Sequence, residues 1–266
     1  MADSTIPAST LDYPPLHEGR PFVVLSDWDG TITTQDSNDY LTDNLGYGKD
    51  KRRAGNLDVL NGRPFRDAFR EMLQSISANG RTFDDCKEAL LQNIHLDPGF
   101  PDFYEWCRKQ DIPFVIVSSG MAPLIRAVLS KYLETGATNI DIIANDVEGD
   151  QASAEWNIKF RHPTSTFGHD KSLAILPYKR LQPAPLLFFF GDGVSDLSAA
   201  QHADVLFVKR KGDGENDLQA YCIRENIQHI VFHDFSEALV TVQAIVNGVN
   251  AGGSVKEVVG KFLEKH

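Results

Sequence analysis

The sequence predicts an α/β fold: a doubly wound, Rossmann-like parallel sheet with a small helical-bundle cap inserted after the first strand. Two observations point to the sheet. Several short apolar runs are nearly continuous rather than alternating, and segments of helical periodicity separate them. The cap follows from a third observation, a helical stretch from 34 to 95 that is too long for a simple crossover.

The strands are read from "PFVVLS" (21–26), "IPFVIVSS" (112–119), "PLLFFFGDG" (185–193) and "ADVLFV", which ends at Val208. Their Val, Ile and Phe content suits strands covered on both faces. Helical spacing marks "PDFYEWCRKQ" and "APLIRAVLSKYL" on either side of the second strand, and "DKSLAILPYKRL" and "SDLSAAQHA" on either side of the third. Within 34–95, four helices are predicted from "SNDYLTDNLG", "KDKRRAGNLDVL", "PFRDAFREMLQSISAN" with Pro64 at its first position, and "TFDDCKEALLQNI" with Thr82 as N-cap. "IANDVEGDQASAEWNIKF" reads as a β excursion near the sheet edge. "FSEALVTVQAIVN" and "SVKEVVGKFLEKH" read as closing helices. The expected organisation is a polar lead-in (1–20), an α/β core (21–36 and 97–266) and the helical cap (37–96).

Composition narrows the function. The chain has 266 residues, 26 basic against 37 acidic, for a net charge of −11. That balance argues against a nucleic-acid binder, which needs clustered Lys and Arg, and disfavours anionic membranes. Cys86, Cys107 and Cys222 are odd in number and without CxxC spacing, as expected of reduced core thiols in a cytoplasmic protein. No apolar run reaches membrane-spanning length, and the first residues lack the pattern of a secretory signal.

Each predicted strand ends in polar chemistry. The first ends in Asp27 and Asp29, the second in Ser118, Ser119 and Gly120, and the third in "GDGVSD", with Asp192 and Asp196. Ligands of open α/β sheets bind at the carboxyl ends of the strands, so these constellations point to one site. Singly, "DWDG" is a turn, "SSG" a capping junction, Lys171 a solvated lysine and His169 a surface or capping histidine. Together, four carboxylates at one site require a cation, and a hard, oxygen-seeking ion such as Mg²⁺ suits them.

"DWDGTIT", "VIVSSG", a lysine opening a helix at Lys171 and "GDGVSD" match in order the four motifs of the haloacid dehalogenase superfamily. The position and helical character of the cap resemble its phosphoserine phosphatase-like branch. "DSNDYLTDNLG" and "GHDKS" are similar to stretches of fungal polyol-phosphate-type or uncharacterised phosphatases. The resemblance implies a Mg²⁺-dependent phosphomonoesterase acting on a small soluble phosphate ester. In that scheme Asp27 is the nucleophile and Asp29 the general acid and base. Ser118, Ser119, Gly120 and Lys171 hold the phosphate. Asp27, the Asp29 carbonyl and Asp192 ligate the metal, with Asp196 behind them. Phosphoserine phosphatases of this kind carry a glutamate nine residues after the nucleophile and a cap arginine. Here those positions hold Asp36 and Met72, with Arg66 and Arg70 close by, so Asp36, Arg66 and Arg70 are the candidate substrate-binding residues. Asp36 or Ser37 as a helix cap is an equal alternative. A phosphomutase of the same superfamily and a non-enzymatic phosphate-binding regulator remain open.

Overall fold

The β-branched and aromatic residues of β1 (Phe22–Ser26) are all buried, because β1 lies in the middle of the sheet. It pairs in parallel with β2 (Phe114–Met121), Val24 opposite Phe114, and with β5 (Leu186–Gly191), Val24 opposite Phe188. The sheet continues through β6 (Val205–Lys209) to β7 (Ile230–Phe232), both parallel. On the other side, β3 (Asp141–Gly149) and β4 (Trp156–Lys159) form an antiparallel ribbon, giving the order β4-β3-β2-β1-β5-β6-β7. This is the mostly parallel α/β sheet expected from the sequence. The computed structural model describes residues 6–212 and 216–263. The first five residues of the expected lead-in and the last three of the chain lie outside that range.

By their internal contacts the residues group into two units. The first comprises Met1–Pro14, Gln35–His95 and Ser118–Asp170, and the second Pro15–Thr34, Leu96–Val117 and Lys171–His266. Of the expected cap, 37–95 falls in the first unit and Leu96 in the second; 118–170, which the sequence reading placed with the core, also falls in the first.

In the first unit, α1 (Ser37–Leu45), α2 (Lys49–Leu60), α3 (Phe65–Ala78) and α4 (Phe83–Asn93) follow one another, then α6 (Ala122–Leu133) after the end of β2. Thr82 caps α4 in a reciprocal box with Asp85, as its sequence position suggested. Pro64 differs from the expectation. It stands at the N-cap with φ −55 and ψ 127, one residue before the first helical position, because the extended ψ keeps it outside the helix. Buried Phe69, Met72, Leu73 and Ile76 form the apolar stripe of α3. The Trp156 indole donates to Arg81 O at 2.9 Å and meets the Phe83 ring edge to face at 5.4 Å.

The second unit holds α5 (Phe100–Lys109), α7 (Ser172–Lys179), α8 (Leu197–Ala200), α9 (Asp217–Arg224), α10 (Phe235–Asn250) and α11 (Val255–Val259). Its core is aromatic: Phe190 stacks on Phe207 at 4.5 Å, and Phe100, Phe103 and Phe232 all pack on Phe235 within 5.5 Å. Two elements were missed from the sequence. β7 has three residues, too few to show a period, and α9 is short and weakly patterned. Among the described residues no helix is long and apolar enough to cross a membrane. The three cysteines are buried and free, and burial pushes the Cys86 thiol up to about 12 and Cys222 up to about 11.

Candidate active site

The second unit brings three of the four predicted carboxylates together. Asp27 directly follows β1, and its N–H donates to Phe190 O at 2.8 Å, so the chain is still held by the neighbouring strand where the acid begins. Gly30, at φ +73, lets the loop turn back; a Cβ there would lie 2.7 Å from Asp192 Oδ2, so glycine is required twice over. The returning Thr31 donates its hydroxyl to Asp192 Oδ1 at 2.7 Å, linking the end of β1 to that of β5. After β5, a 3₁₀ turn over Val194–Asp196 sends Asp196 back under its own loop, where Oδ2 accepts the N–H groups of Asp192 (3.0 Å) and Gly193 (3.2 Å). Asp27, Asp192 and Asp196 are buried and offer oxygens all within 4.8 Å of one another. Asp29 is half-buried.

Lys171 stands immediately before α7 with its side chain fully buried. Its ammonium lies 2.7 Å from both Asp27 Oδ1 and Asp196 Oδ1. Burial works against its charge, but Asp196 and Asp27 outweigh that, and its pKa is raised. Burial, and next the charge of Asp196, push Asp27 well above the usual carboxylate range. Burial also raises Asp196, offset in part by Lys171. A further lysine, Lys211, contacts Asp192 Oδ2. Even so, two ammonium groups face three buried carboxylates, and the donors are all oxygen. Such a set fits a hard divalent cation.

In the first unit, Ser118, Ser119 and Gly120 form the buried end of β2. The Gly120 N–H donates to Ser118 Oγ at 3.0 Å, orienting that hydroxyl, and Ser119 Oγ has no hydrogen-bond partner among the described residues. Asp36 is the N-cap of α1, its Oδ1 accepting the N–H groups of Asn38 and Asp39, each at 2.8 Å. Arg66 donates to Asp67 and to Pro163 O at 2.6 Å. Arg70 sits 5.0 Å from the Phe160 ring centroid and lines a cleft of about 470 Å³ with Gln74, Asn157 and Lys159. Met72 is buried.

Sequence reasoning passed over Lys209, Lys211, Asp97, Tyr13 and His162. Lys209 is buried and donates to Thr31 O at 2.7 Å and Asp97 Oδ2 at 2.6 Å. The one available signal was its place at the end of a buried strand.

A family model described as haloacid dehalogenase-like hydrolase matches residues 24–201, most of the chain. The chain belongs to the haloacid dehalogenase-like hydrolases. Two fungal relatives of this hydrolase cover most of its length. Pdp3-interacting factor 1 of Schizosaccharomyces pombe is 48% identical over 82% of this chain and 93% of its own. Polyol phosphate phosphatase PYP1 of Saccharomyces cerevisiae is 42% identical over 85% and 94% respectively. A substrate-bound phosphoserine phosphatase has the same fold, with a TM-score of 0.56 at 13% identity, over 78% of this chain and 99% of the other.

Proposed function

We propose that this haloacid dehalogenase-like hydrolase, a phosphatase, cleaves a small soluble phosphomonoester of a sugar alcohol or sugar in the cytoplasm, with Mg²⁺ as cofactor and through a phosphoryl group carried on Asp27. The observation that carries this reading is the buried Lys171 ammonium held between Asp27 and Asp196. A nucleophilic carboxylate must approach an anionic phosphate, and a fixed, desolvated cation beside it offsets that repulsion.

Lys171 and the Trp28 N–H both donate to Asp27 Oδ1, which supports Oδ2 as the oxygen that attacks phosphorus. As the Oδ2–P bond forms, the ester P–O bond breaks and Asp29 gives its proton to the departing alkoxide. Water then attacks the same phosphorus, Asp29 takes its proton, and inorganic phosphate leaves Asp27 as a carboxylate. Ser118, Ser119 and Lys171 bind phosphoryl oxygens, and Gly120 orients Ser118 through its N–H. Asp27, the Asp29 carbonyl and Asp192 would hold the metal, with Asp196 setting the position of Lys171. Bound Mg²⁺ supplies charge neutralisation for phosphate and nucleophile together.

Support for a polyol or sugar ester comes from the yeast relative's name and from the polar run Asp36–Asp39; Arg66 and Arg70 are candidates for holding the alcohol part. The test is phosphate release from glycerol phosphate, pentitol and hexitol phosphates, sugar phosphates, phosphoserine and a nucleotide, with Mg²⁺ and with chelator. Metal-dependent release that ranks polyol esters first is expected. Preference for phosphoserine or the nucleotide would contradict the substrate class, and no release from any ester would contradict the activity.

A further inference from the structure

Residues 9–13 have no regular structure and the composition of a loose terminus, yet they are tied down. Thr10 donates its N–H to Arg161 O at 2.8 Å and its hydroxyl to Phe160 O at 2.7 Å. The buried Arg161 guanidinium answers by donating to Leu11 O (3.0 Å) and Asp12 O (3.1 Å), and it lies 4.7 Å from the centroid of the Tyr13 ring. Tyr13 Oη is 2.8 Å from His162 Nε2.

His162 passes this restraint on. Its Nδ1 accepts the Asp170 N–H at 3.0 Å, so Nδ1 carries no proton and Nε2–H is the donor to Tyr13. Burial, with Arg161 beside it, lowers the His162 pKa to about 4 and keeps this neutral tautomer in place. The backbone of His162 closes the same turn by donating to Gly168 O at 2.8 Å. Gly168 has φ +71, and a Cβ there would meet the Phe160 ring at 2.4 Å, so the turn admits only glycine. At its end His169 Nδ1, necessarily protonated, donates to Ser118 O at 2.7 Å. A second route runs from the Arg161 N–H to Asn145 Oδ1 at 2.8 Å, and from Asn145 Nδ2 to Ser119 O at 2.7 Å. Both carbonyls of the predicted phosphate-binding strand end are thus held by side chains that lead back to residues 9–13, and Lys171 follows Asp170 in the chain.

We propose that residues 9–13 are a positioning brace for the Ser118–Ser119 backbone and for the turn that delivers Lys171, with Tyr13 and His162 as positioning residues. This rests on reading Ser118 and Lys171 as the groups that meet phosphate. Tyr13 and His162 act through the backbone of that strand end and turn, so their loss should misplace the phosphate donors and leave the groups that bind the rest of the substrate in place.

The experiment is Tyr13→Phe in the full chain, read in two ways. With p-nitrophenyl phosphate and Mg²⁺, kcat should fall about tenfold while KM stays within about twofold. In ¹⁵N-labelled protein, the His169 Nδ1–H resonance should shift or broaden, a readout that needs no turnover. A wild-type kcat, or a His169 resonance unmoved while kcat falls only in step with thermal stability, overturns the brace. If wild-type protein releases no phosphate, the phosphatase reading fails, and the His169 resonance alone still decides whether the brace exists. Should Tyr13→Phe not fold, Thr10→Val, which removes the hydroxyl bonds to Phe160 O and Arg161 O and keeps the N–H bond to Arg161 O, is read the same way.

Discussion

Lys171 Nζ lies 2.7 Å from Asp27 Oδ1, with both side chains buried. Neither charge is stable there alone: the acids hold the lysine protonated, and the lysine offsets only in part the rise in pKa that burial gives the acids. The pair is therefore a centre of both stability and chemistry, and substitutions should register in each.

Lys171→Met leaves Asp27 and Asp196 facing each other without their shared cation. Removing one partner of a buried ion pair costs about 3–5 kcal/mol, and losing a preorganised charge at a reacting centre costs about 10²–10³ in kcat. Urea unfolding and phosphate release measure the two effects. A variant that turns over at the wild-type rate would remove Lys171 from the mechanism.

Asp27 and Asp196 have raised pKa values, so the stability they contribute is present below the ordinary carboxylate value of 3.8 and is lost as pH rises through their higher folded values. Chelated protein should therefore gain more from Mg²⁺ at neutral pH than in mild acid. At a hundredfold excess over the dissociation constant the gain is about 2.7 kcal/mol. Unfolding midpoints with chelator and with Mg²⁺ at both pH values check this, and an equal increment at both contradicts it.

His162 has the opposite sign. Its pKa falls from 6.5 to about 4 on folding, so its contribution is complete above 6.5 and lost as pH drops from there towards 4. His162→Gln should flatten that part of the stability profile and leave the alkaline side as it is. Denaturation midpoints across the window decide it.

Lys209 ties together the two chain crossings at the cap insert. It joins Thr31 O to Asp97 Oδ2, beside the bridge between Thr33 and Leu96 and the Asp97 N–H bond to Ile32 O at 2.8 Å. Lys209→Met strands a buried carboxylate and should cost about 3–5 kcal/mol. It should also change kcat and KM together, because the loop it steadies carries Asp29 and Thr31. Unchanged kinetic constants in a folded variant would confine Lys209 to stability.

The acids were legible for a definite reason. Asp27, Asp192 and Asp196 follow buried apolar runs, where like charges are unfavourable unless a cation is nearby, so their positions alone implied one site. The four helices between Ser37 and Asn93 were legible from their periodicity in a stretch too long for a crossover. The arginines were not assignable, because helical periodicity fixes a face and not a partner: Arg66 turns out to hold Pro163 O, and Asp36 caps α1. Tyr13 and His162 left no local trace, since they are 149 residues apart in sequence and meet only through the fold. Lys209 and Lys211 were not singled out, since their partners Asp97 and Asp192 are distant in sequence.

The most direct test of the central claim is to quench the enzyme with acid during turnover of a polyol phosphate with Mg²⁺ and map phosphorylated peptides by mass spectrometry. The account predicts a phosphoryl group on the peptide containing Asp27, absent in Asp27→Asn, together with loss of turnover by about 10³-fold or more in that variant. Phosphoryl label on another residue, or turnover that persists in Asp27→Asn, would contradict it.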